Sequence, residues 1–337
     1  MIIKNKSNIK TVQKFINKNF KKNHIISRNK KVFDWLYYNK YEKKYNFIFE
    51  KKNENIISFL GIVKNSKFSD KLKKMETVWL TTWVAKKNEL GAGLKILNYA
   101  IKNYTYNKIG TIGCSEEVKK IYKYLGFFTC HMTQYYIPNI QIKNYRIIKF
   151  KKSYQKFNKS DLINKIISLK IVNKINFNEF YNNKIKYIKM FSKNEDYFKN
   201  KYIENPFYNY IIYEFKIKKK LLGYYFAREI LYRDRKCLRI VDFFGNIKNI
   251  FDTSEMFKKI IEDKKYEFVD MYFFGNDTNK SLFIKNNFNK NIIIPNFFEP
   301  FMKKNIRINF AILQKKTTKL LLFKGDCDQE RPNILTK

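Results

Sequence analysis

Two stretches of this 337-residue chain carry residue types and spacings that chemistry can use. The first is TVWLTTWVAKKNELGAGLKIL, Thr77 to Leu97. Gly91 and Gly93 let a backbone pass close to a bulky anion, and the apolar spacing of Leu94, Leu97 and Ile101 starts a helix just behind them. Unpaired N–H groups and the positive end of the helix dipole make such a turn a phosphate cradle. The same pattern also describes an ordinary helix start with permissive glycines. The second stretch is the tail, KLLLFKGDCDQERPN, Lys319 to Asn333. Asp326, Asp328, Glu330 and Arg331 crowd there into a turn before Pro332. A carboxylate group in a loop after a strand can bind an ammonium or sugar hydroxyls; it can equally cap the turn and pair with surface lysines.

These residues need elements to position them. Thr77 to Val84 is rich in β-branched and aromatic residues and reads as a strand leading into the glycine turn. In CSEEVKKIYKYLGFF, Cys114 to Phe128, an apolar face of Val118, Ile121, Tyr122 and Leu125 predicts a helix that Gly126 stops. A strand precedes it at Lys108 to Gly113, and another follows at Phe127 to Ile137. Upstream, Phe33 to Val63 alternates like two strands joined by the polar turn Lys51 to Asn55. The order is helix, hairpin, long strand, glycine turn, helix, strand, helix, strand.

That order, with those motifs, resembles the GNAT superfamily of acyl-CoA N-acyltransferases over about residues 1–150. Members carry Arg/Gln-x-x-Gly-x-Gly/Ala at the turn; this chain reads Asn88-Glu89-Leu90-Gly91-Ala92-Gly93, with Asn at the first position. The resemblance implies that Leu90, Gly91, Ala92, Gly93 and Leu94 hold the CoA pyrophosphate and that Trp83 and Val84 pair with the pantetheine arm. The late helix of many members ends Tyr-x-x-Leu-Gly-Phe, matched by Tyr122 to Phe127, which puts Tyr122 where an acid reprotonates the CoA thiolate. A backbone amide where the long strand splays, near Thr81 to Val84, would polarise the carbonyl. For the base the candidates are His131, Glu76 and Asp34. His131 has a suitable ordinary pKa of about 6.5, but it alternates with Cys130 and Met132 and can instead be buried and satisfied. Asp34 and Tyr135 also stand as acceptor-binding residues, with Asp326, Asp328 and Arg331 of the tail.

Composition bounds the rest. The chain is long enough for two ordinary domains, and 45% hydrophobic and 18% aromatic content allow substantial cores. No apolar run approaches the roughly 18 residues of a membrane span, and MIIKNKSNIK lacks a signal-peptide core. Four separated cysteines without a CxxC pair read as free thiols in a reducing compartment, and two histidines weaken any metal reading. The expectation is a cytoplasmic protein with no metal. The net charge of +41 comes almost entirely from lysine, with only eight arginines. That favours a solvated basic surface over a nucleic-acid face and would attract small polyanions.

A shift of 165 residues repeats the pattern. Phe33, Tyr37 and Tyr45 line up with Phe198, Tyr202 and Tyr210; Cys237 to Asn246 takes the place of the long strand, and Lys280 to Phe288 that of the late helix. The second copy has no glycine turn: it reads Gly245-Asn246-Ile247-Lys248-Asn249-Ile250. Two tandem GNAT-like domains are therefore expected, residues 1–150 with the CoA turn and 155–337 degenerate, either completing the acceptor site or serving as a structural partner. The fold class is α/β, each domain a mixed, mostly antiparallel sheet flanked by helices. The tail looks like a KGDxDQxRP signature that ends tandem acyltransferase-like proteins of surface-polysaccharide gene clusters. Together the resemblances imply acetyl transfer from acetyl-CoA to the amine of a nucleotide-linked amino sugar. Two alternatives stand beside it: a tandem peptidoglycan-type transferase using aminoacyl-tRNA, and a non-enzymatic basic nucleic-acid-binding protein.

Overall fold

A computed structural model describes residues 2–4, 8–150, 167–176, 193–275, 281–288, 291–315 and 320–333. In chain order the first half contributes β1 (Ile2–Lys4), α1 (Ile9–Asn19), α2 (Ile25–Arg28), α3 (Lys30–Tyr37), a small hairpin of β2 (Tyr38–Asn39) and β3 (Lys44–Tyr45), β4 (Phe47–Lys52), β5 (Asn55–Lys64), β6 (Thr77–Ala85), α4 (Ala92–Asn103), β7 (Lys108–Cys114), α5 (Glu116–Tyr124), β8 (Phe128–His131) and β9 (Thr133–Pro138). The second half contributes β10 (Ile167–Ile171), α6 (Glu195–Phe198), β11 (Ile211–Ile217), β12 (Lys220–Tyr232), β13 (Arg235–Gly245), α7 (Ser254–Asp263), β14 (Phe268–Phe274), β15 (Ile284–Lys285), a second hairpin of β16 (Phe297–Phe298) and β17 (Phe301–Met302), β18 (Asn309–Gln314) and β19 (Leu322–Phe323).

Two mixed sheets result, as the sequence predicts. The first runs β1-β4-β5-β6-β7-β18-β8 and the second β10-β11-β12-β13-β14-β9-β15. Each copy is antiparallel up to its long strand, then turns parallel through a helix: β6 to β7 through α4, and β13 to β14 through α7. The helix must sit on one sheet face, because a parallel crossover needs that length of chain. Its apolar stripe decides which face. In α4, Ala92, Ile96, Leu97 and Ala100 are buried, and the last three join Leu60, Ile62, Val78 and Leu80 of the sheet. Burying each large aliphatic side chain contributes about 1.5–3 kcal/mol.

The halves exchange strands. Residues 309–314 of β18 insert between β7 and β8 of the first sheet, while 133–138 of β9 insert between β14 and β15 of the second. A division at residues 150–155 therefore separates the segments of chain but not the sheets; the expected joint itself, at 151–160, lies outside the described residues. Three local expectations are corrected. Phe33 to Tyr37 belongs to α3 rather than a strand, with Val32, Phe33, Leu36 and Tyr37 buried at helical spacing. The strand expected over Phe127 to Ile137 is broken at Met132, because its two parts serve different sheets. Ser281 to Phe288 forms β15 and loop rather than a late helix.

Both long strands carry a bulge at the same place. Across β5 and β6 the register passes from Leu60↔Trp83 to Gly61↔Thr81, leaving Thr82 as the extra residue, with φ of +42°. Across β12 and β13 it passes from Phe226↔Asp242 to Ala227↔Ile240, leaving Val241. A bulge bends its strand away from the ladder. As a result β6 pairs with β7 only over Thr77, Val78 and Trp79, and β13 with β14 only over Leu238, Arg239 and Ile240. Each sheet thus has a V-shaped notch at its centre. Tyr37 and Tyr202, aligned by the 165-residue shift, reach the two bulges: Tyr37 bonds Thr81 and Thr82, and Tyr202 donates to Asp242.

Candidate active site

The two notches differ in what fills them. In the second half the chain's own tail does so. Leu322 and Phe323 pair with Phe274 and Phe273 of β14, Lys324 N donates to Tyr272 O (3.2 Å), and Gly325 N donates to Val241 O (2.7 Å). A side chain at Gly325 would strike the Tyr202 hydroxyl, 2.1 Å from its Cβ, so only glycine allows this approach. Asp326 anchors the segment below. Lys193 Nζ lies 2.8 Å from both Asp242 and Asp326, and all three side chains are fully buried. Burial raises the Asp242 pKa while Lys193 opposes it.

The first notch is open. It is a cavity of about 350 Å³ whose wall includes Thr81, Thr82, Trp83, Cys114, Tyr122, Asp328 and Arg331. The glycine turn is not part of this wall but is hydrogen-bonded to one of its residues, Trp83. Gly91 caps α4 with φ of +78°, and Ala92 N and Lys95 N find Glu89 O and Gly91 O. The amides of Leu90, Gly91, Gly93 and Leu94 have no hydrogen-bond partner among the described residues, so they form a cluster of donors at a helix N-terminus. Trp83 Nε1 donates to Gly93 O (2.9 Å) and ties the splayed strand to the turn. Leu90 is 96% exposed, leaving only its backbone for an anion. Val84 is buried and does not line the notch.

Tyr122 lies at the inner wall. Its ring packs on Phe127 (centroids 4.9 Å) and Trp83 (6.0 Å), and its hydroxyl has no hydrogen-bond partner among the described residues. Burial pushes its pKa well up, so the phenol stays protonated across any working pH. Opposite, the tail leaves the second notch and enters the first. Gln329 Nε2 donates to Ile112 O (2.8 Å) on the edge of β7. Gly113 makes the room: with φ of +87°, a Cβ there would meet Gln329 at 2.4 Å. Arg331 Nη1 donates to Asp328 Oδ2 (2.7 Å), and its Nη2 stands 3.2 Å from His24 Nε2. A guanidinium only donates, so that nitrogen accepts and is unprotonated. Burial, then the Arg331 charge, lower the His24 pKa to about 4.

The structure thus gathers Trp83, the glycine turn, Tyr122, Asp328 and Arg331, and leaves out five other candidates. Glu76 begins β6 at the end away from the bulge, buried and accepting from Ser66 N (3.0 Å). Asp34 bonds Lys30 and Tyr45 on α3 and lines neither this cavity nor the larger one beside it. Tyr135, on an exchanged strand, packs on Phe251 in the core of the second half (4.8 Å). Asp326 is committed to Lys193. His131 faces Asn309 across β18, one strand beyond β7, and lines neither cavity; burial lowers its pKa. Asp328 is the one carboxylate on the wall of the open notch among the described residues. Sequence reasoning missed His24, Thr82 and Gln329; the scarcity of histidine and the Thr81-Thr82 pair inside a strand were the available signals.

No protein-family model and no curated protein matches the sequence. Solved structures do share its architecture. A GCN5-related N-acetyltransferase from Anabaena variabilis ATCC 29413 superposes with a TM-score of 0.54 at 12% identity, covering 93% of this chain and 72% of its own. One from Kribbella flavida gives 0.54 at 8% identity, covering 93% and 71%. A protein of unknown function from Enterococcus faecalis V583, described as a probable N-acyltransferase, gives 0.52 at 10% identity over 92% and 72%. Identities this low speak for the fold alone, and that fold, the GCN5-related N-acetyltransferase architecture in two mixed sheets, extends along most of this chain.

Proposed function

We propose that the protein is an acyl-CoA-dependent N-acyltransferase with one working site per chain. The observation that carries this is the contrast between the notches: one open, with four unpartnered amides tied to its wall through Trp83, and one filled by the protein's own tail. In this reading the amides of Leu90 to Leu94 bind the CoA pyrophosphate and the unpaired edge of β6 past Thr82 takes the pantetheine arm. Asp328 receives the proton from the acceptor's ammonium, freeing the nitrogen to attack the thioester carbonyl. A main-chain amide at the bulge stabilises the oxyanion. As the C–S bond breaks, the Tyr122 hydroxyl protonates the thiolate and regains its proton from the nitrogen, which sheds its second proton as the amide forms. The acceptor we favour is an amino sugar on a nucleotide, with an acetyl donor; its support is the tail's resemblance to surface-polysaccharide proteins.

The test combines calorimetric titration with CoA and a thiol-release assay using acetyl-CoA and a panel of nucleotide-linked amino sugars, peptides and polyamines. Saturable CoA binding with turnover of an amino sugar is expected, and Asp328→Asn should lower kcat by about 10². Absence of CoA binding near millimolar concentration would overturn the transferase reading. Turnover confined to peptides or polyamines would overturn only the acceptor.

A further inference from the structure

Half of the chain's eight arginines line one cavity. It encloses about 610 Å³ between the two halves and lies beside the notch, with Gly113, Cys114, Ser115, Gln329 and Arg331 lining both. Along the chain roughly one cationic residue in nine is arginine; on this wall it is four of five, Lys324 being the fifth. A composition that drives positive charge onto lysine leaves arginine where the planar fork itself is needed.

The four are not equivalent. Arg239 is committed to structure, bonding Asp270 (2.9 and 2.7 Å) and the carbonyls of Pro295 and Asn296. Arg228 stacks on Tyr208, its guanidinium carbon 3.9 Å from the ring centroid; its Nε pairs with Glu330 (3.2 Å) and its Nη1 with Glu299 (3.6 Å). The Nε of Arg331 is buried without a partner among the described residues. Arg307 is exposed and has no ion pair among the described residues. The wall's carboxylates are engaged: Glu299 by Tyr208 and Asn333, Glu116 by Lys119 and Asn309, Glu330 by Arg228 and Lys324. Burial lowers the Lys324 pKa to about 8; Glu330 opposes the shift, and Arg239 and Arg228 add to it.

We infer that this cavity binds the amine acceptor through an anionic group, a phosphate or carboxylate, held by Arg307 and Arg228, with Arg331 on the wall it shares with the notch. The inference rests on the transferase reading and adds the charge class of the acceptor. Arginine forks take either anion through two parallel N–H donors, and such charge-assisted bonds are the strong ones.

The experiment is calorimetric titration of the full chain, first saturated with CoA so that the glycine turn is occupied. Inorganic pyrophosphate and glutamate are the two probes, and the better one tells phosphate from carboxylate. One anion per chain is expected. Arg307→Gln should weaken it at least about tenfold, with CoA affinity unchanged within about twofold. Arg228→Lys, which keeps the charge and loses the fork, should weaken it in the same direction and guards against misreading a folding defect. Binding of spermidine in place of either anion would overturn the inference, as would anion affinities unchanged in both variants. Failure of CoA to bind would instead sink the transferase reading. Pyrophosphate titrated into Gly91→Val, and lost again with Arg307→Gln added, would then show that the anion cavity stands without it.

Discussion

Tyr122→Phe separates chemistry from packing more cleanly than any other change in this site. The ring contacts with Phe127 and Trp83 stay, because phenylalanine keeps the same six carbons. No hydrogen bond is lost from the unliganded fold, since the hydroxyl has no partner among the described residues and Tyr122 is 1% exposed. Stability should therefore stay within about 0.5 kcal/mol of the parent. In the proposed mechanism the same hydroxyl is the proton donor in the transition state. Losing a positioned general acid should lower kcat by about 10², close to 2.7 kcal/mol in barrier. KM for the thioester should move little, because arm and pyrophosphate contacts are untouched. Steady-state thiol release at saturating acceptor, with a thermal melt of each protein, makes the comparison. Tyr124→Phe is the control, two positions on and 91% exposed. A kcat within about threefold of the parent for Tyr122→Phe would refute the reasoning and leave the thiolate to be protonated by water.

Gly91→Val should abolish measurable CoA binding by calorimetry: φ of +78° costs a non-glycine residue about 1–2 kcal/mol, more when β-branched, and relaxing it moves the amides. A Cβ at Gly91 meets nothing within 4 Å, so the melt should fall by no more than that strain. Lys193→Met leaves Asp242 and Asp326 buried without their cation, which should cost about 3–5 kcal/mol in denaturant unfolding. Because the same tail carries Asp328 into the open notch, kcat should drop as well. The His24 pKa is lowered on folding to about 4 from 6.5, so the unfolded chain binds the extra proton between those values. The stability this confers is present above about pH 6.5 and lost as pH falls toward 4, about 2 kcal/mol once solvent screening is allowed for. Urea titrations at pH 7 and pH 4.5 should show a smaller difference for His24→Gln than for the parent.

What the sequence by itself determined is local and periodic. The glycine turn, the capped helix ending at Gly126 and the doubled hairpin each follow from steric preferences within a dozen residues, and the 165-residue repeat carries that pattern into both sheets. The absence of the glycine turn from the second copy was equally legible, because it is a matter of which residues stand after one strand. Contacts across hundreds of positions were not. Nothing within Thr133–Pro138 or Asn309–Gln314 says that each strand crosses to the other half; alternating apolar residues suit either sheet, and only the packed whole chooses. The base candidates lie apart from the open notch for the same reason. Glu76 and Asp34 have the right functional groups, but the direction of β6 and the face of α3 point them elsewhere. Conversely, Asp326 and Asp328 look interchangeable in sequence. Two residues of chain place one beneath Lys193 in a filled notch and the other on the wall of an open one, because the tail runs through both.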